Sequence, residues 1–192
     1  MADTDWWNES SVCSSGVSVD YYWHELSAAE PVNRHVDETV EKLMTAIRRP
    51  GRLWHPYTLI SAEGKFRSRI LRAMEGRLEP VDEVKRIRES HPAKLYEVRW
   101  QDIHVVDRGV NGPDRGYYTL VRLIHAEPES MPLTVIGLRA HEKIIQTDSG
   151  VGDSQHDQLG AATQTYWQIM SESRFTRPGD GAGYSTASKN GV

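Results

Sequence analysis

Three stretches between residues 94 and 140 constrain the fold most, because each is short and rich in β-branched and aromatic residues. They are KLYEVRW (94–100), YYTLVRLIHA (117–126) and LTVIGLRA (133–140). The turn-forming sequence DRGVNGPDRG precedes the second stretch, and EPESMP precedes the third. Links this short favour antiparallel neighbours, since a parallel pair needs a longer crossover. The sequence therefore predicts an antiparallel β-meander of three to four strands.

The segments on either side of the meander have a helical period. In RHVDETVEKLMTAIRR (34–49), the residues Val36, Val40, Leu43 and Ile47 fall on one face, and Pro50 follows the last turn. The same patterns predict a short strand over 53–61 and helices over 63–78, 79–90 and 158–170. We expect an α+β fold in which the helices pack on one side of the sheet.

The two ends of the chain lack a sustained period. The first 30 residues contain the aromatic clusters DWW and DYYWHEL among Ser, Asp and Glu, and the last 19 are small, polar and glycine-rich. Aromatic side chains in such a context are expected to dock on the protein's own body. The predicted organisation is an irregular acidic extension over 1–34, an additional helix over 35–50, an α+β domain over 51–172 and a disordered tail over 173–192.

Charge is unevenly distributed along the chain, whose net charge is −4. Residues 48–146 contain 18 Lys and Arg against 13 Asp and Glu, whereas the flanks contain five basic and 14 acidic residues. A basic body between acidic ends favours binding to a polyanion, although ordinary fluctuation of surface charge explains it equally well.

Several classes of protein are not expected. The N-terminus lacks the basic start and apolar stretch of a secretory signal, and no apolar run is long enough to cross a bilayer. Cys13 is the only cysteine, which excludes an intrachain disulfide and cysteine-rich zinc motifs. His104 and His125 could meet across adjacent strands, but no third ligand has a suitable spacing. We expect a cytoplasmic protein with no metal, no cofactor and no membrane partner.

Four stretches of the chain share their local patterns with one known family. They are VKRIRESHPAKLYEVRW (84–100), GYYTLVRLIHAEP (116–128), LTVIGLRAHEKI (133–144) and QLGAATQTYWQIM (158–170). These stretches resemble the RelE/HigB superfamily of toxin ribonucleases. The order of a strand, two helices, a meander and a closing helix is also similar to that family. The chain departs from the family pattern where Tyr118 and Thr119 replace a common arginine, and where RAHEK replaces a pair of lysines.

The resemblance implies cleavage of RNA without a metal. This chemistry needs a group that accepts the 2′-hydroxyl proton, a group that protonates the leaving oxygen, and cations that stabilise the charged phosphorus centre. Arg99 matches the arginine of the family's Leu-Tyr-Glu-hydrophobic-Arg strand, and alternation places it opposite Tyr96 and Trp100 on a polar face. An exposed partner of an acid such as Glu97 is the structural alternative.

Two further residues complete the expected catalytic set. Arg122 lies in an otherwise apolar strand, so it must face away from the core or be paired. His141 lies in the family's basic segment and suits proton transfer near neutral pH. It shares its alternation with Gly137 and Arg139. The expected RNA-binding residues are Lys94, Tyr96, Arg139 and Lys143.

The expected function is therefore that of a toxin component, a metal-independent endoribonuclease that acts on mRNA, free or on the ribosome, and pairs with an antitoxin protein. A catalytically inactive RelE-like module that binds nucleic acid or protein is the alternative, favoured by the departures from the family pattern. A structural domain that self-associates through its separated charges also stays open.

Overall fold

The computed structural model describes residues 10–109, 112–143, 151–172 and 175, with side chains from residue 156 onward in the last helix. The elements in chain order are β1 (Asp20–Trp23), α1 (Val32–Ile47), β2 (Arg52–Leu53), α2 (Pro56–Met74), β3 (Val84–Arg86), β4 (Leu95–Asp107), β5 (Arg115–Ala126), β6 (Thr134–Lys143) and α3 (Val151–Glu172). No helix in the described ranges is both long enough and apolar enough to cross a membrane.

One mixed sheet organises the described part of the chain. Its strand order is β1-β6-β5-β4-β2, and β3 also pairs with β4. The antiparallel meander β4-β5-β6 is confirmed. The prediction of a purely antiparallel sheet is wrong, because β1 runs parallel to β6, with Asp20 opposite Thr134. The fold class is α+β, and the sheet has six strands within the described ranges.

Helices cover both faces of this sheet. On one face, Trp100 and Val98 pack in a core with residues of α1 and α2, and the Trp100 ring meets the Phe66 ring edge-on at 5.3 Å. On the other face, Ile124 and other strand residues pack against Tyr166 of α3. The prediction that all helices lie on one side is wrong. The central strands bury apolar residues at both odd and even positions, so both faces of the sheet are covered.

Two of the predicted elements differ in type. Of residues 53–61 only Leu53, the second residue of β2, is in a strand. The helix α2 begins at Pro56, and the His55 ring accepts a hydrogen bond from the Tyr57 amide at 3.4 Å. Proline is favoured in the first turn of a helix, where its missing N–H costs nothing. Residues 79–90 are not a helix either. Val84 lies opposite Val98 of β4, and a 3₁₀ turn follows at Arg88–Ser90.

The N-terminal residues belong to the same core as the meander. The prediction of irregular structure over 1–34 is wrong at Asp20–Trp23, which form β1. Tyr21 hydrogen-bonds Thr39 of α1 at 2.9 Å, and the Trp23 amide donates to the His35 ring at 3.0 Å. These aromatic side chains dock on the protein's own body, as expected. DWW (5–7) lies outside the described residues.

The chain beyond α3 is described at one position. Phe175 is buried, and its ring centroid lies 5.3 Å from that of Tyr22. The rest of the predicted tail (173–174 and 176–192) lies outside the described residues.

Candidate functional site

Three predicted catalytic residues occupy adjacent register positions across the meander. Arg99 of β4 lies opposite Arg122 of β5, and Arg122 lies opposite His141 of β6. Directly opposed residues share a face of the sheet. Arg99 is thus on the face away from Tyr96 and Trp100, as alternation predicts. We call these three residues the Arg–Arg–His row.

A single carboxylate holds both arginines of the row. Arg99 donates from Nε to Glu97 Oε1 at 2.7 Å and from Nη1 to the Val81 carbonyl at 3.0 Å. The Nε of Arg122 lies 3.5 Å from the other Glu97 oxygen. Burial lowers the pKa of Arg122, the nearby Arg99 acts in the same direction, and Glu97 opposes both. One anion faces two cations, so the row is positively charged.

His141 has a neutral and unpartnered ring. Both ring nitrogens are buried, and neither has a hydrogen-bond partner among the residues that the structure describes. Burial lowers the pKa of His141 to about 4, with Arg122, Arg139 and Lys143 acting in the same direction and Glu97 opposing. At neutral pH the imidazole is uncharged and can accept a proton. Buried polar atoms without partners are uncommon, so these nitrogens mark the ring as a functional candidate.

Arg99 and His141, the outer members of the row, line a cleft of about 720 Å³. Arg122, between them, is buried and does not line it. The walls of the cleft come from the sheet face, from β3 with the turn that follows it, and from α3 through His156 and Leu159. Its charged lining consists of five cations and two carboxylates: Lys85, Arg86, Arg88, Arg99, Lys143, Glu89 and Glu97. A concave surface with an excess of cations concentrates anionic ligands such as phosphates.

The predicted RNA-binding residues divide between two places. Lys143 lines the cleft. Arg139 does not line it and donates to Gln158 of α3 at 2.8 Å. Lys94 is elsewhere and pairs with Glu129 at 3.1 Å. Tyr96 is only 1% exposed and stacks on His125 at 5.6 Å, so the predicted base contact is wrong.

A bulge in β6 corrects the expected alternation. Ile124 lies opposite Arg139, whereas the next residue, His125, lies opposite Gly137. The extra residue between them breaks the period of two. Arg139 and His141 therefore lie on the α3 face of the sheet, while Gly137 faces the opposite side against the Trp23 ring.

Sequence reasoning missed several parts of the site. The sequence pattern indicates Glu97 only as a partner of Arg99, and Lys85 and Arg88 fall in a segment predicted to be helical. The burial of Val84 and Arg86 on either side of exposed Lys85 is the alternation typical of a strand. In the sequence itself, the only comparable signal is the apolar Val84 and Ile87 among charges.

A second group of reactive side chains lies on the other face of the sheet. Cys13, His125 and Glu127 are all buried. Their ligand atoms lie within 4.8 Å of one another. Burial lowers the pKa of His125, but contacts with Cys13 and Glu127 outweigh it and raise the pKa to about 10. The imidazole is therefore protonated at neutral pH and pairs with Glu127 at 3.0 Å.

Comparisons with known proteins gave no relative. A scan of protein-family models, a search of curated proteins and a search of solved structures each found no match.

Proposed function

We propose that this chain is a RelE/HigB-like toxin that cleaves messenger RNA without a metal ion, with the Arg–Arg–His row as its catalytic centre. The observation that carries the proposal is the register of Arg99, Arg122 and His141, which aligns two arginines and a neutral imidazole beside a cationic cleft.

Each member of the row has a chemical role in the proposed reaction. Neutral His141 accepts the proton of the 2′-hydroxyl as that oxygen attacks phosphorus. Arg99 and Arg122 stabilise the charge that develops on the phosphoryl oxygens, because a guanidinium binds phosphate through two parallel donors. His156, the other imidazole of the lining, is the candidate donor to the leaving 5′-oxygen. The products are a 2′,3′-cyclic phosphate and a 5′-hydroxyl.

The second half of the chain gives further support, because the meander β4 to β6 and the closing helix α3 follow each other in the order that the resemblance implies. The first half does not, since the expected strand over 53–61 and helix over 79–90 differ in type. An antitoxin with an acidic segment would complement the cationic cleft, and we propose such a protein as the partner.

A binding module without catalysis is the second candidate. The observation that favours it is the pairing of Glu97 with both arginines. The carboxylate occupies the Nε donor of Arg99 and lies 3.5 Å from the Nε of Arg122, so a phosphate would have to compete with it. In addition, exposed Tyr118 stands near the position where the family commonly has an arginine.

Expression in bacteria tests the proposal. We would compare the wild-type chain with an Arg99→Ala, His141→Ala double variant and with a matched Arg115→Ala, His104→Ala variant, whose two altered side chains are exposed and do not line the cleft. We expect growth arrest and new RNA 5′ ends with the wild type and the matched variant only. Arrest and cuts that persist in the double variant would contradict the proposed centre.

Purified protein separates cleavage from binding. In Glu97→Gln the carboxylate charge is lost while an oxygen acceptor stays, so RNA affinity should increase at low salt. If the chain is a ribonuclease, the wild type should yield cyclic-phosphate products. His141→Ala should yield none while its affinity for RNA is retained. Tight, salt-dependent binding with no product, from folded protein with or without ribosomes, would favour the binding module.

A further inference from the structure

Cys13, His125 and Glu127 bring three kinds of metal-binding atom together from distant parts of the chain. Cys13 lies in the 3₁₀ turn Val12–Ser14, whereas His125 lies near the end of β5 and Glu127 directly after it. Cys13 and His125 are fully buried, and Glu127 is 7% exposed. The Sγ of Cys13 lies 3.8 Å from His125 Nε2, which lies 3.0 Å from Glu127 Oε1.

We propose that these three side chains bind a divalent cation of the Zn²⁺ class. A thiolate, an imidazole and a carboxylate are the donors that a tetrahedral zinc site uses, and two such ligands on one ion lie about 3.3–3.6 Å apart. The two observed separations fall within a few tenths of an ångström of that range. The third pair, the Cys13 sulfur and the Glu127 carboxylate, lies within 4.8 Å. Side-chain rotation that brings this separation to about 3.6 Å places an ion at bonding distance from all three atoms.

Hydrogen bonds from residues 11–13 orient Glu127 and connect it with Cys13. The Val12 amide donates to Glu127 Oε2 at 3.0 Å, and Ser11 Oγ donates to Oε1. The Cys13 amide donates to Ser11 Oγ at 3.1 Å, which links two of the ligands through one hydroxyl. Such outer contacts fix ligand geometry and affect metal affinity.

A groove beside Glu127 offers a route for the ion. Glu127 lines a groove of about 250 Å³, together with Ser10 and Lys94. Water in this groove can complete the tetrahedron, as at sites with three protein ligands. Because metal ligands must be deprotonated, uptake of the ion at this site releases protons.

The role of this cation is structural, and the inference does not depend on the proposed function. His125 and Arg122 lie on opposite faces of β5, so the ion would not reach the Arg–Arg–His row. Instead it would fasten residues 11–14 to the end of the meander. The unpaired Nδ1 of His125 stays inside the core and takes no part in binding.

Titration of the full, reduced chain with Co²⁺ tests the site. We expect one Co²⁺ per chain, with a thiolate-to-cobalt charge-transfer band and the visible bands of tetrahedral cobalt, both abolished when Zn²⁺ displaces it. Cys13→Ser should lose the charge-transfer band, and Glu127→Gln should weaken binding by about tenfold or more. His104→Gln, at an exposed histidine, should bind as the wild type does.

Two results would overturn the inference. One is a folded wild-type chain that takes up no stoichiometric Co²⁺ or Zn²⁺. The other is cobalt spectra and affinity that are unchanged in both Cys13→Ser and Glu127→Gln, since binding would then involve surface groups. If Cys13→Ser does not fold by circular dichroism, Glu127→Gln alone decides by its affinity.

Discussion

The buried ring of His141 makes stability depend on pH in a way that one substitution removes. In the folded chain its pKa is lowered to about 4, first by burial and then by neighbouring cations. In the unfolded chain a histidine has a pKa of about 6.5. Between these values the unfolded state binds a proton that the folded state does not, so the free energy of unfolding decreases as the pH falls from 6.5 toward 4.

The size of the effect follows from the two pKa values. At pH 5, His141 should lower the free energy of unfolding by about 2 kcal/mol relative to pH 8, by proton linkage at a single site. Below pH 4 the loss should level off at about 3 kcal/mol, since each unit of pKa difference corresponds to 1.36 kcal/mol. Stability supported by this group is present above pH 6.5.

Urea unfolding at pH 8 and pH 5 measures this pH-dependent change in the free energy of unfolding. Other groups also titrate in this range, so the useful quantity is the pH-dependent change in wild type minus that in His141→Gln, which keeps a neutral polar side chain but cannot bind the proton. We expect a difference of about 2 kcal/mol. His104→Gln controls for the loss of an exposed imidazole. If wild type and His141→Gln lose stability equally on acidification, the ring is not held neutral.

Three other substitutions test the site and the packing. Arg122→Ala should weaken RNA binding and reduce the dependence of affinity on salt by about one unit of slope, whereas Arg115→Ala should change neither as much; filter binding over a salt series measures both. Gly137→Ala should cost about 1–3 kcal/mol in urea unfolding, because an added Cβ would lie 2.8 Å from the Trp23 ring. Phe66→Ala should cost about 3–5 kcal/mol by the same assay, since the ring is fully buried.

The sequence was most informative where the pattern is local. The alternation of Tyr96, Val98 and Trp100 predicts both the strand and the polar orientation of Arg99, and both follow from a period of two that neighbouring residues set. The helix over 34–49 was also predictable, because its apolar stripe recurs every three to four residues. Pro56 led to the wrong prediction of a strand, since a proline that begins a helix and one at the edge of a strand look alike in sequence.

Non-local contacts could not be predicted in this way. β1 is four residues long, and its partner β6 lies more than 100 residues away, so DYYW carries no recognisable period. The fit depends on Gly137, where the absence of a side chain leaves space for the Trp23 ring. The group of Cys13, His125 and Glu127 could not be predicted either, because sequence spacing gives no indication that Cys13 and His125 meet.

The β6 bulge determines which chemistry each face of the sheet can have. Ile136 lies opposite Ala126, and His141 lies opposite Arg122, so both face the α3 side although one position is even and the other odd. In a strand without the bulge, His141 would share a face with Gly137 and would point into the core that the sheet forms with α1. The one inserted residue therefore has two effects. It places the small Gly137 against Trp23, and it places the imidazole of His141 beside the arginines. Bulges are common next to functional sites because they redirect a side chain in this manner.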